Sequence, residues 1–205
     1  RNHFVEQALR DEVKMFPRQA IRELVANALV HQSFETTGQS VMVEMYADRL
    51  EVSNPGLPPI KLERFIDEFR SRNERLAELL RRMRVCEEKG SGIDKVVHLA
   101  EVFQLPAPDF RTSETRTTAV LFAHQDFAEM SKPDRIRACY QHCALKYVSN
   151  ERMSNQSLRE RFRLPESKAA TASQVIGATK DAGLIKTDES DSTSTRYARY
   201  LPFWA

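Results

Sequence analysis

The sequence predicts an α+β protein of two domains: an α/β sandwich with helices on one face of a sheet, followed by three helices and a β-hairpin. Three observations carry this. Near the N-terminus, apolar residues at helical spacing give way to two short stretches that alternate with a period of two. Over residues 131–205 the pattern runs helix, helix, turn, helix and paired strands. The charge divides at the same place: residues 1–130 hold 18 basic and 21 acidic side chains, and residues 131–205 hold 13 and 8. The net +2 of the 205-residue chain is therefore a near-cancellation of an acidic part and a basic one, which points to different partners for the two.

Taken in order, the first element is a helix over 17–32, with Pro17 in the first turn, where its missing N–H would go unpaired in any case. Ile21, Leu24, Val25 and Ala28 make its apolar face, and Glu23, Asn27 and His31, each four residues from the next, form a neighbouring stripe. Gly38 breaks the chain, and strands over 41–46 and 49–53 flank Ala47-Asp48, the second stopped by Asn54-Pro55-Gly56. Helices follow over 62–69 and 74–83, Gly90-Ser91-Gly92 leads into a helix over 93–103, and a strand over 118–122 closes the sheet. Residues 131–134 read as a linker. Beyond them Ile136, Tyr140, Cys143 and Tyr147 share one helical face, and Ser154 suits the N-cap of a short helix over 155–162. Arg163-Leu164-Pro165 turns the chain, and a third helix over 166–182 ends at Gly183. Strands over 184–187 and 196–201 then flank a polar loop, 188–195. This is the layout of a winged helix-turn-helix.

Composition narrows the class. Hydrophobic residues at 41% and charged residues at 29% describe an ordinary soluble globular chain. Uncharged runs such as 24–34 reach 11 positions, short of the ~18–20 that span a bilayer. No secretory leader opens the sequence, and it begins at Arg1 rather than Met, so an upstream portion is expected. Three cysteines, Cys86, Cys139 and Cys143, are too few and too odd for a disulfide framework and fit a reducing cytoplasm.

One set of residues goes further. Residues 20–31 (AIRELVANALVH), 48–56 (DRLEVSNPG), Arg72-Asn73 and 87–93 (EEKGSGI) occur in an order that resembles the GHKL ATPase superfamily of gyrase, Hsp90, histidine kinases and MutL. More closely, it resembles the C-terminal region of bacterial proteins described as RecG-related ATP-dependent DNA helicases or transcriptional regulators, which often carry an N-terminal Schlafen-like, AlbA-type domain. The resemblance implies a GHKL-like domain over 1–130 that binds ATP with Mg²⁺. It makes Glu23 the base for the attacking water and Asn27 an oxygen donor to Mg²⁺ held through the nucleotide. It makes Gly90 and Gly92 a phosphate-approaching turn at a helix start, and the turn with Asn54 and Gly56 the adenine grip. The superfamily has Asp in an Asp-x-Gly turn at that point; here Asn54 lacks the charge that strengthens such a bond, and Pro55 stiffens the turn. Without the other boxes, Glu23 and Asn27 would read as a solvated polar stripe and 54–56 as plain turn chemistry, while His31 reads as structural. No P-loop occurs, since 90–95 (GSGIDK) has neither the spacing nor the hydroxyl, so strand separation by this chain is not expected.

For residues 131–205 the layout implies DNA as partner, with the third helix in the major groove. Ala169, Ala172 and Ile176 are expected in the core, and Ser167, Lys168, Thr171, Gln174 and Lys180 toward the nucleic acid. Gln174 suits a base edge, and Lys168 and Lys180 suit phosphate. Arg196 and Arg199 flank the wing, whose loop, 188–191 (DESD), is acidic and would repel phosphate. Cys139, His142 and Cys143 sit at helical spacing but lack a nearby fourth metal ligand, and the cysteines read better as buried thiols on a helix face, and Tyr197, Tyr200, Phe203 and Trp204 read as anchors of the last strand. The expected function is a DNA-binding transcriptional regulator with a reduced, ATP-binding GHKL-like domain. The rival readings are an active Mg-ATP hydrolase working with DNA, and a protein-interaction or homodimerisation module whose two sites are degenerate.

Overall fold

The computed structural model describes residues 15–85, 92–189 and 198–205 and, as backbone, 2–6 and 9–13. They divide into two units: Arg1–Pro59 with Ser71–His124, and Ile60–Arg70 with Gln125–Ala205.

In the first unit, β1 (Asn2–Glu6) and β2 (Leu9–Val13) pair antiparallel, a hairpin that the sequence pattern did not suggest. Helix α1 (Arg18–His31) follows, with the extended residue Pro17 as its N-cap, where proline sacrifices no donor. Strands β3 (Met42–Met45) and β4 (Arg49–Pro55) are joined through Ala47-Asp48, across which Tyr46 N–H donates to the Arg49 carbonyl at 2.8 Å. Helices α2 (Glu74–Arg82) and α3 (Gly92–Val102) precede β5 (Asp109–Thr112) and β6 (Arg116–Phe122). The sheet is antiparallel throughout, in the order β3-β4-β6-β5.

Register explains which sheet face is covered. Leu50 lies opposite Leu121 and Val52 opposite Ala119. Leu50, Val52 and Leu121 share one core with Ala20, Leu24 and Ala28 of α1 and with Val96 and Ala100 of α3, and Ala119 packs against it. Both helices therefore cover the face on which these cross-strand pairs project, as period-two alternation requires.

In the second unit, α4 (Lys132–Val148) starts at Ser131, whose hydroxyl accepts from Asp134 N–H. Residues 131–134 are thus the cap and first turn of a helix rather than a linker. A serine followed by proline and aspartate has the chemistry of a helix start. Helix α5 (Asn155–Arg161) opens with a reciprocal capping box between Ser154 and Ser157. Helix α6 (Ala169–Asp181) follows a 3₁₀ turn, Glu166–Lys168, and ends at Gly183, whose φ of +71° is the left-handed geometry that glycine accepts without strain. Strands β7 (Ile185–Thr187) and β8 (Tyr200–Pro202) pair antiparallel. Asn155 Nδ2 donates to the Ala169 carbonyl and to Ser173 Oγ, both at 2.9 Å, and so pins α5 to α6.

The helix expected over 62–69 is another correction. Only Leu62–Arg64 forms a 3₁₀ turn. An α-helix would send Asp67 N–H to the Glu63 carbonyl. Instead Asp67 bonds to the Arg64 carbonyl, and the Glu63 carbonyl accepts from the Tyr140 hydroxyl. Tertiary bonding outcompetes the helical pattern here.

Candidate functional site

Glu23 and Asn27 stand one turn apart on α1, and the structure brings them against the start of α3. A methyl group built on Gly92 would lie 3.3 Å from Asn27 Nδ2 and 3.6 Å from both Asn27 Oδ1 and Glu23 Oε2. Only a residue without a side chain leaves this cradle open. Glu23 is 2% exposed and accepts from Arg22 Nη2 at 3.4 Å. The solvated-stripe alternative is therefore overturned for Glu23: Ala26 and Val30 are buried beside it, so α1 is covered on more than its sheet-facing side.

The second half of the site lies at the other end of α1. Ser33 N–H donates to the Pro55 carbonyl at 2.8 Å, which ties the end of the helix to the end of β4. Asn54 is buried, and its Nδ2 donates to the Pro55 carbonyl at 3.0 Å, leaving Oδ1 as the acceptor end of the amide. Gly56 has φ +102°, and a Cβ there would meet Ser33 Cβ at 3.1 Å and Arg72 Nη2 at 3.3 Å. Its N–H donates to the Thr115 carbonyl and its carbonyl accepts from Thr117 Oγ1, both at 2.7 Å.

Arg72 and Asn73, noted in the sequence without a role, clamp this end. Arg72 Nε donates to the His31 carbonyl at 3.1 Å and its Nη2 to the Leu57 carbonyl at 2.5 Å. Asn73 Nδ2 donates to the Val30 and Gln32 carbonyls at 2.9 and 2.8 Å, serving orphan acceptors at the end of α1. Burial, and after it the Arg72 charge, hold the His31 imidazole below its ordinary pKa, which favours the neutral ring.

Gly90 lies outside the described residues, as do Cys86 and Arg196. On the second unit, Ser167, Lys168, Gln174 and Lys180 are exposed, Thr171 and Arg199 half-buried, and Ala172 and Ile176 buried. Lys180 Nζ donates to Thr187 Oγ1 at 2.8 Å. Of the acidic loop, Asp188 is buried and ion-paired to Arg152 at 3.1 Å, a partner that sequence spacing does not reveal. Cys139 and Cys143 are buried thiols, and His142 Nε2 lies 3.1 Å from Ser157 Oγ. Among the described residues no group of three or more His, Cys, Asp or Glu is placed to hold a metal ion, and none of the described helices is long and apolar enough to cross a membrane.

The first unit thus combines an antiparallel sheet backed by helices with a carboxylate and an amide facing a glycine at a helix start. Residues 38–121 match the family model described as the putative ATP-dependent DNA helicase recG C-terminal region. The match includes the Asn54 turn, Arg72-Asn73 and Gly92, and begins after α1. Among solved structures, the DIP2311 protein from Corynebacterium diphtheriae is similar at a TM-score of 0.56 and 19% identity, over 98% of this chain and 42% of that one. That likeness concerns the fold. The chain spans about two fifths of that protein's length. No curated protein is significantly similar.

Proposed function

We propose that the first unit binds Mg-ATP in a reduced GHKL-like site and that the second is a winged helix that binds DNA, together forming a transcriptional regulator. The observation that carries the first half is the approach of Glu23, Asn27 and Gly92. The residues fit the group. Asn27 Oδ1 is the hard oxygen donor that Mg²⁺ accepts, the start of α3 offers N–H groups and a positive dipole end to phosphate, and Asn54 offers an acceptor to an adenine amino group. Mg²⁺, when bound, would neutralise phosphate charge. Glu23 would accept a proton from water. From Glu23 to the His31 end of α1 is about 12 Å along the axis, which suits an extended ligand lying along the helix.

Three features support the second half. Lys168, Gln174 and Lys180 are exposed on or beside α6, residues 131–205 are net basic, and the Asp188–Arg152 pair removes one acidic charge from the loop that would otherwise repel phosphate. Titration calorimetry with Mg²⁺ and a non-hydrolysable ATP analogue tests the nucleotide half: heat is expected, and none at millimolar ligand would sink it. A gel shift at low salt tests the DNA half. Retardation that weakens as salt rises is expected, and equal mobility with and without DNA counts against it.

The buried Glu23 favours one second reading, active hydrolysis. It predicts that Glu23→Ala abolishes phosphate release while sparing binding, and activity that persists in that variant removes Glu23 as the base.

A further inference from the structure

The four-stranded sheet of the first unit ends differently on its two sides. The outer strand β5 follows Pro106 and Pro108 and carries an Asp109–Arg111 ion pair at 2.6 Å. Prolines and charges of this kind keep a free edge from pairing. The other outer strand, β3, has β4 on one side and, among the described residues, no strand on the other. It holds no proline or lysine, and Met42, Val43, Met45 and the adjoining Tyr46 are exposed.

Register shows which backbone groups of β3 are open. Tyr46 N–H donates to the Arg49 carbonyl at 2.8 Å, so these two form a hydrogen-bonded pair. In an antiparallel ladder such pairs alternate with unbonded ones. Glu44 opposite Glu51 and Met42 opposite Ser53 are therefore the next bonded pairs. The far side of β4 agrees, since Ala123 N–H donates to the Asp48 carbonyl at 2.8 Å, which gives Leu50 and Val52 to β6 and leaves Arg49, Glu51 and Ser53 to β3. Val43 and Met45 thus turn their N–H and C=O groups outward. Their side chains stand opposite Val52 and Leu50 of the core, and Val41 packs against that core. The core-facing apolar row therefore runs on past the last strand, where Val43 is 51% and Met45 73% exposed.

We propose that β3 is a dimer interface, pairing antiparallel with β3 of a second copy about a two-fold axis through Val43. A row of outward N–H and C=O groups is met by another strand, and the side chains make this strand complementary to itself. Centred on Val43, the pairing sets Val43 on the second copy's Val43 and Val41 on its Met45, all on the core-facing side. On the other side Met42 faces the second copy's Glu44, so no like charges are opposed. An axis through Glu44 would set the two carboxylates directly opposite one another, which is destabilising. An axis through Met45 would leave Val41 without an opposite number. The dimer requires neither nucleotide nor DNA.

A strand pair this short gives a weak, reversible dimer, so sedimentation velocity is run on the full chain from about 1 to 200 μM. The parent should pass from monomer to dimer across that range. Val43→Pro removes an outward N–H that the ladder with β4 does not use, a change an edge strand tolerates. Val43→Lys sets two like charges opposite each other. Each variant should stay monomeric to the top of the range, a Kd raised roughly tenfold or more, with far-UV circular dichroism like the parent's. Oxidation should join Val43→Cys chains through a new disulfide, since Cα atoms about 5.5 Å apart suit one. Glu44→Cys chains, off the axis, should crosslink no more than the parent. A parent that stays monomeric, a dimer that survives both substitutions, or crosslinking through Glu44→Cys rather than Val43→Cys overturns the proposal.

Discussion

Gly92→Ala separates the site from the fold. Gly92 is the first residue of α3, and its φ lies outside the left-handed region, so alanine enters without backbone strain. In a helix interior alanine is favoured over glycine by about 0.5–1 kcal/mol, and at a first position by less. For a chain of this size that converts to a rise of at most about 2–4 °C in Tm. The new methyl would stand 3.3 Å from Asn27 Nδ2, tighter than nine in ten real Cβ contacts, so Asn27 or α3 must give by a few tenths of an ångström. It would also fill the space into which phosphate and its cation would fit. Losing one charge-assisted contact to the ligand costs about 1.5–3 kcal/mol, which is roughly tenfold or more in affinity. Thermal unfolding and calorimetry on the same preparation should therefore show a Tm within about 2–4 °C of the parent with Mg-nucleotide affinity lowered at least tenfold. A variant that binds within about twofold of the parent would show that the Gly92 cradle is not where the ligand sits.

Other predictions concern the supports of the two units. His31 has a lowered folded pKa, so its neutral form is favoured in the native state; stability should hold above the ordinary value of 6.5 and decline as pH falls from there through the folded pKa. In Arg72→Ala the His31 pKa, followed by NMR, should move back up toward 6.5, and no movement would deny Arg72 its part in the shift. Ser154→Ala removes the hydroxyl that caps α5 and should cost about 1 kcal/mol, seen as a shift of about 2–4 °C in Tm; an unchanged Tm would mean that water serves the freed N–H groups equally well. Burial pushes the Cys139 thiol up to about 12 and the Cys143 thiol further in the same direction, so peptide mapping after alkylation near neutral pH should find both unmodified in the folded chain and modified after denaturation. Modification of either in the native state would show that this core opens locally.

Where local chemistry decides, the sequence was legible. Pro17 before α1 has no N–H to leave unpaired, Ser154 caps α5 with its hydroxyl, and Gly183 after α6 takes the left-handed φ, each a local choice that the structure keeps. The Glu23–Asn27 spacing was legible too, because one helical turn sets it, but the burial of Glu23 was not, since it depends on what packs over that side of α1. The 62–69 segment misled because Arg64 pairs with Asp67 and Glu68 at helical offsets while its carbonyl chemistry is settled by Tyr140, 77 residues from Glu63. Strand β5 escaped notice because it is four residues long, carries one large apolar side chain, Phe110, and follows Pro106 and Pro108. The Arg72-Asn73 clamp and the Arg152–Asp188 pair join residues 41 and 36 positions apart, and pattern along the chain carries no record of such distances.

A crystal structure of the full chain grown or soaked with millimolar Mg²⁺ and a non-hydrolysable ATP analogue bears most directly on the proposed nucleotide site. The adenine amino group should lie on Asn54 Oδ1, the phosphates at the start of α3 beside Gly92, and the cation on Asn27 Oδ1 with Glu23 facing the terminal phosphate. Nucleotide bound elsewhere, or a Glu23–Asn27–Gly92 cradle that stays free of ligand under those conditions, would contradict it.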